Sequence, residues 1–386
     1  MNTPDEFKPR PRDNVLPYEA EVARMAFTNA RTALRAHSQL STKERLAELS
    51  KLKQTILAHR SMIIARVMEE VGKCRTDALV AEILGTLDWL NWLEKNAQRL
   101  LKPEKVKTPI TLLGKQSLLL HEPLGVVLII CPWNYPFHNA ITGIAAAFVT
   151  GNAVVYKPSE HAPCKGLIEQ VLACSSVLQS LVRVVYGAGS LGSALIEQQP
   201  AKIFFTGSGP TGSKIMAQAS RELIPVELEL GGKDPMIVFA DAPMARSVAG
   251  ALWGGFTNAG QSCSGVERLL VEHSVQDRFV DSLVKEAQKL VVRVGDNGDA
   301  DVGRMTVGFQ RDKVIEHLQD ALNLGARLPG PFAQALKVDR QCIQVNQCGG
   351  QLHPGQYLMV IGIIANRWQW GGFDTAHEGP DEFSGR

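Results

Sequence analysis

The chain has 386 residues, 45% hydrophobic and 21% charged, with a net charge of +2. That length exceeds one ordinary hydrophobic core and predicts two domains or a little more. The near-neutral charge steers the protein toward neither nucleic acid nor anionic lipid, so the expected partner is a small molecule.

The N-terminus has no apolar segment behind a basic start and does not read as a signal peptide. From about Tyr18 to Leu101 the pattern is helical: Phe27, Ala30, Leu34, Leu46, Leu49, Leu52 and Ile56 recur about every 3.6 residues. Ser41 to Glu44 has the form of a capping box, and a second helical pattern runs from Val67 to Leu100. Thr108–Leu113 and Gln116–His121 around Gly114-Lys115 predict a protruding β-hairpin. From Gly125 strands alternate with helices. Strands are expected at Gly125–Ile130, Ala153–Tyr156, Val182–Tyr186, Lys202–Phe205, Pro225–Leu230 and Met236–Phe239. Helices are expected at Asn139–Val149, Pro163–Leu178, Ser190–Glu197, Ala245–Asn258 and Val275–Leu290. Short apolar strands with crossover helices imply a parallel sheet covered on both faces. After Leu328 this grammar stops; only Tyr357–Ala365 suggests a strand, and the last residues are polar. The longest apolar runs, Leu124–Cys131 and Tyr357–Ala365, are too short to span a bilayer.

The seven cysteines are odd in number and contain no C-x-x-C pair. Neither a metal site nor a full disulfide framework is expected, and a reducing cytoplasm fits best. Cys263 stands out because it follows a helix and is flanked by Gly260 and Gly265, which allow close approach to a nucleophilic thiolate. Glu229 ends an apolar strand before Gly231-Gly232, where α/β proteins gather active-site groups; partial burial would suit it to general-base work. Asn134, in Pro132-Trp133-Asn134-Tyr135-Pro136, can donate to an oxyanion. Lys157-Pro158-Ser159-Glu160 offers a cation and a carboxylate for ribose hydroxyls. Gly207-Ser208-Gly209-Pro210-Thr211-Gly212 spells G-x-G-x-x-G between a strand and a helix. By itself that motif would make Glu227 or Glu229 a ribose ligand. Each segment also has a plainer reading: a packed cysteine, a salt-bridged glutamate, an Asx-turn, a solvated turn, a chance glycine pattern.

Together, and in this order, these blocks resemble the aldehyde dehydrogenase superfamily from about Tyr18 to Leu328, including the spacing of 34 positions from Glu229 to Cys263. The resemblance implies an α/β fold. A Rossmann-like parallel-sheet cofactor domain (1–105 and 124–230) would be joined to a second, incomplete α/β catalytic domain (231–328), with 106–123 as an oligomerisation hairpin. It implies oxidation of an aldehyde with NAD or NADP. Cys263 would form a thiohemiacetal and then a thioester, with Asn134 and the Cys263 N–H holding the oxyanion and Glu229 activating the hydrolytic water. Lys157 and Glu160 would hold the ribose, which removes Glu229 from that role. Gly207 and Ser208 would approach the diphosphate, while Trp133 and Gly231 would lie against the cofactor. No metal and no membrane contact are implied.

The chain departs from the family at its end. Gly303-Arg304-Met305 has Arg where the family has Pro, and the later Glu-x-Phe-Gly-Pro block, which grips the nicotinamide ribose, is absent. The expectation is a truncated or frameshifted member whose residues 329–386 form a poorly ordered tail, and whose hairpin has lost its usual partner strand. Three alternatives follow: a CoA-acylating relative, a catalytically impaired remnant that at most binds nucleotide, and a cofactor-free cysteine hydrolase.

Overall fold

The structure, a computed structural model, describes residues 16–292 and 300–326. The anomalous tail and the expected strand at Tyr357–Ala365 lie outside the described residues. β-Branched and aromatic runs build the central sheet. Strands β3 (Val126–Ile130) and β4 (Ala153–Lys157) follow a small hairpin, β1 (Glu104–Val106) and β2 (Ser117–Leu119), in the chain. Every residue of β3 and β4 is buried, as expected for strands covered on both faces. With β5 (Val182–Val184), β6 (Lys202–Gly207) and β7 (Val226–Leu230) they form a parallel sheet in the order β5-β4-β3-β6-β7.

That order has a functional consequence. The chain moves outward from β3 to β5, then crosses back to place β6 on the other side of β3. A crevice therefore opens beyond the carboxyl ends of β3 and β6, the usual ligand position in open α/β sheets. Residues 131–135 leave β3 there, and residues 208–209 leave β6.

The amino-terminal helices pack on this sheet through the predicted stripe. Phe27, Ala30, Leu49, Leu52 and Ile56 are buried, with Leu34 and Leu46 partly buried against the same core. The capping box is present: the Ser41 N–H donates to Glu44 at 2.7 Å, and the Glu44 N–H donates to the Ser41 hydroxyl at 3.3 Å. The predicted pattern Val67–Leu100 is interrupted. Helix Arg60–Val71 ends at Gly72, whose φ of 87° is left-handed. Helical winding resumes at Arg75–Asp77 and widens to a π-helix over Ala78–Leu84 before Gly85–Leu100.

Other boundaries also differ. The first hairpin arm lies at Glu104–Val106, not within 108–113, because Ile110–Leu112 coils into a 3-10 turn. The helix predicted over Pro163–Leu178 is split into Leu167–Leu172 and Ser176–Leu181, where Ser175 caps the second piece by accepting from the Leu178 N–H at 3.1 Å.

Beyond the sheet, β8 (Asp234–Val238) pairs in parallel with β9 (Val266–Val271), a strand the periodicity did not single out. Helices Met244–Phe256 and Gln276–Ala287 pack on this pair through Val248, Ala251, Phe279 and Leu283. Among the described residues no helix is long and apolar enough to cross a membrane.

Candidate active site

A cleft of about 970 Å³ lies over the carboxyl ends of β3, β6 and β7. Its walls include Trp133, Asn134, Gly207, Ser208, Glu229, Gly231 and Cys263. Residues from three sheet connections and from the loop before β9 thus face one space. Helix Gly308–Asn323 closes another side through Lys313 and His317.

Cys263 is exposed, whereas Cys74, Cys131 and Cys164 are buried. Burial pushes the Cys74 thiol up to about 11 and raises Cys131 and Cys164 further, so these three are held as neutral thiols. Cys263 sits at the end of an unusual loop. Asn258, Ala259 and Gly260 all have left-handed φ, at 51°, 57° and 74°. Such angles are costly for the two residues with a Cβ and persist where surrounding contacts enforce them.

Those contacts are specific. Asp77 accepts from the Thr257 hydroxyl and from the Asn258 N–H, both at 2.9 Å. The Asn258 side-chain amide donates to the carbonyls of Asn134 (3.0 Å) and Gln261 (3.1 Å). Gln261 returns a bond to the Asn258 carbonyl at 2.9 Å and accepts one from the Thr306 N–H at 2.9 Å. The Cys263 loop is thereby bonded to the β3 loop and to the segment around Met305.

Asn134 is fixed from several directions. Its Nδ2 donates to the Gln261 carbonyl at 3.0 Å, and its Oδ1 accepts from the Tyr135 N–H at 3.1 Å. One N–H of Nδ2 remains without a partner among the described residues. Burial pushes the neighbouring Tyr135 hydroxyl up to about 12, opposed by its hydrogen bond with Ser262.

Glu229 reaches the cleft from β7, opposite Thr206 in the ladder. It is exposed; the partial burial considered from the sequence is not there. Gly207 ends β6, and Ser208 caps helix Gly209–Ala219, accepting from the Thr211 N–H at 3.4 Å. A Cβ built at Gly209 or Gly231 would meet nothing within 4 Å. A helix start with open backbone beside it suits an anionic diphosphate.

Lys157 and Glu160 are not among the cleft-lining residues. They lie at the carboxyl end of β4, where Lys157 Nζ is 3.5 Å from Glu160 and donates to the Pro158 carbonyl at 3.1 Å. Burial lowers the Lys157 pKa, and Glu160 opposes that shift. The pair supplies a donor and an acceptor at the same sheet end as the cleft.

Sequence reasoning missed Lys73, Asp77 and Glu82, which brace the loops from behind. Glu82 carried a signal: it falls in phase with buried Ala78, Thr86, Leu90, Leu93 and Ala97. An acid within an apolar helical stripe needs a buried partner.

Comparison with known proteins identifies the family. The sequence profile described as the aldehyde dehydrogenase family matches residues 13–336. The chain is 40% identical over 307 residues to a 4,4'-diapolycopene aldehyde oxidase of Methylomonas sp., a match covering 79% of this chain and 58% of that protein. The fold is similar to an NADP-dependent enzyme of E. coli, with a TM-score of 0.75 and 32% identity over 80% of this chain and 64% of the other. It is similar also to a point mutant of Staphylococcus aureus betaine aldehyde dehydrogenase in complex with NAD+. That match has a TM-score of 0.75 and 29% identity, and covers 81% of this chain and 64% of the other. The chain thus spans about three-fifths of the length of these relatives. With the profile covering most of its length, the chain belongs to the aldehyde dehydrogenase family.

Proposed function

We propose that this cleft oxidises an aldehyde to a carboxylic acid with NAD+ or NADP+. The observation that carries the reading is the meeting of Cys263, Asn134 and Glu229 with the Gly207–Ser208 turn around one space. Cys263 thiolate attacks the aldehyde carbon; the C–S bond forms and the carbonyl π pair moves onto oxygen. The remaining Asn134 N–H and the Cys263 backbone N–H hold that oxyanion. A bound nicotinamide would supply the hydride acceptor, and loss of that hydride would leave Cys263 carrying the acyl group as a thioester. Glu229 takes a proton from water, whose oxygen adds to the thioester carbon as the thiolate leaves. Its exposure leaves the carboxylate open to water.

The nucleotide would lie across the crevice. Its diphosphate would approach Ser208 and the helix start, its ribose would be held by Lys157 and Glu160, and Trp133 and Gly231 would contact the rest. In this reading 1–105 and 124–230 form the nucleotide domain, 231–328 part of the catalytic domain, and the hairpin an assembly element.

The test is NADH or NADPH formation by the purified chain with a panel of aldehydes, with and without CoA. Cys263→Ser is expected to abolish oxidation and leave nucleotide binding intact. Glu229→Gln is expected to give a burst of reduced nucleotide without steady turnover; unchanged turnover would refute the base assignment. Nucleotide binding with no oxidation of any aldehyde would identify an impaired remnant.

A further inference from the structure

The most deeply buried charges in the described residues are not in the cleft. The side chains of Lys73 and Glu82 are both fully inaccessible, and Lys73 Nζ lies 2.6 Å from Glu82 Oε1. A buried ion pair is poor evidence for stability, since removing two charges from water offsets most of their attraction. Its contacts show where it acts. Lys73 Nζ also donates to the Asn134 carbonyl at 2.8 Å and sits 4.2 Å from the centre of the Tyr135 ring. The second oxygen of Glu82 accepts from the N–H groups of Phe137 (3.1 Å) and His138 (2.8 Å), at the start of helix Pro136–Val149. Apart from the bond within the pair, each of these contacts goes to a residue between Asn134 and His138.

We infer that Lys73 and Glu82 are positioning residues that set the Asn134 amide for oxyanion binding. Lys73 and Asn258 together occupy the Asn134 carbonyl, which fixes its peptide plane. Glu82 fixes the helix start that follows. The side-chain amide, tied to the Tyr135 N–H and the Gln261 carbonyl, then has one N–H left for substrate oxygen. An oxyanion donor works only when aimed at the developing charge before reaction. A packed ion pair with all its partners satisfied supplies that rigidity. This inference rests on the reading of Asn134 as the oxyanion donor.

Two reactions of the Cys263 thiolate separate positioning from general damage. With p-nitrophenyl acetate, sulfur bonds to the acyl carbon through a tetrahedral oxyanion, and p-nitrophenolate leaves. With iodoacetamide, sulfur displaces iodide and no oxyanion forms. In the full chain, Lys73→Met is expected to slow acylation about 10- to 100-fold, part of the loss that follows removal of an oxyanion donor. Alkylation is expected to stay within about threefold, because it uses no such donor. Glu82→Gln keeps the size and one acceptor and is expected to slow acylation less; it makes the same comparison if Lys73→Met cannot be purified. In an Asn134→Ala background, neither substitution should slow acylation further. Parallel losses in both reactions, or full additivity with Asn134→Ala, would overturn the positioning role. If Asn134→Ala leaves acylation unchanged, the oxyanion reading fails first and the role of the pair fails with it.

Discussion

Replacing Asp77 tests how the loop before Cys263 holds its left-handed backbone. Asp77 is buried and accepts from the Thr257 hydroxyl and the Asn258 N–H, each at 2.9 Å. Hydrogen bonds to a charged group contribute about 1.5–3 kcal/mol each, so Asp77→Ala removes about 3–6 kcal/mol. Left-handed φ at Asn258 and Ala259 costs about 1–2 kcal/mol per residue, less for Asn. A released loop recovers about 2 kcal/mol of that strain. The net loss expected for Asp77→Ala is therefore about 1–4 kcal/mol, with Cys263 displaced. Asp77→Asn behaves differently. Its carbonyl still accepts from the Asn258 N–H, and its NH2 can donate to the Thr257 oxygen, so the loss is about 1 kcal/mol. Urea unfolding measures the stabilities, and iodoacetamide alkylation of Cys263 reports the loop. Asp77→Ala should change the alkylation rate at least about fivefold, equivalent to about 1 kcal/mol, while Asp77→Asn should not. Equal destabilisation by the two variants, or unchanged Cys263 reactivity in Asp77→Ala, would refute the reasoning.

His138 donates its backbone N–H to Glu82, and its ring contacts the Thr86 hydroxyl at 3.1 Å. Burial lowers its pKa from 6.5, against the opposing field of Glu82. Below pH 6.5 the unfolded chain therefore binds the extra proton first, and stability falls with pH by at most about 1.4 kcal/mol per unit until the folded pKa is passed. His138→Gln should flatten that slope between pH 6.5 and 5 in thermal melts; an unchanged slope would remove His138 as its source. Phe279 is fully buried in the cluster over β8 and β9, so Phe279→Ala should cost about 3–5 kcal/mol in denaturant unfolding. In a background with Cys174, Cys342 and Cys348 changed to Ser, DTNB near pH 7.5 should find Cys263 as the fast thiol. Cys263→Ser should remove that phase and leave Cys74, Cys131 and Cys164 slow.

What could be read from the sequence followed how local each signal was. Unbroken apolar runs such as Val126–Ile130 and Ala153–Lys157 are legible because burial on both faces leaves no polar alternation. The cleft residues were legible because each lies on a short segment leaving a strand or helix, with glycine, proline or asparagine beside it. Placing Lys157 and Glu160 at the end of β4, away from the cleft wall, required the sheet order. The bracing residues were hidden for another reason. Asp77 serves Asn258, and Glu82 serves Phe137 and His138; the phase of Glu82 marks it as buried, but nothing local names partners 181, 55 and 56 residues away. The shifted hairpin arm and the break at Ala173–Ser175 are local choices between turn and regular structure that composition left open.

The π-helix over Ala78–Leu84 has a consequence for chain length. Its signature bond runs from the Gly85 N–H to the Val80 carbonyl, five residues back. Residues five apart, such as Asp77 and Glu82, point about 140° away from each other on regular α winding. The widened turn swings them toward a common side, so that one element anchors two loops at once. Removing a single residue within 78–81 would leave the two anchors four apart on ordinary winding, about 40° from each other, whereas adding one would turn one anchor by about 100°. The segment should therefore tolerate loss of one residue better than gain of one.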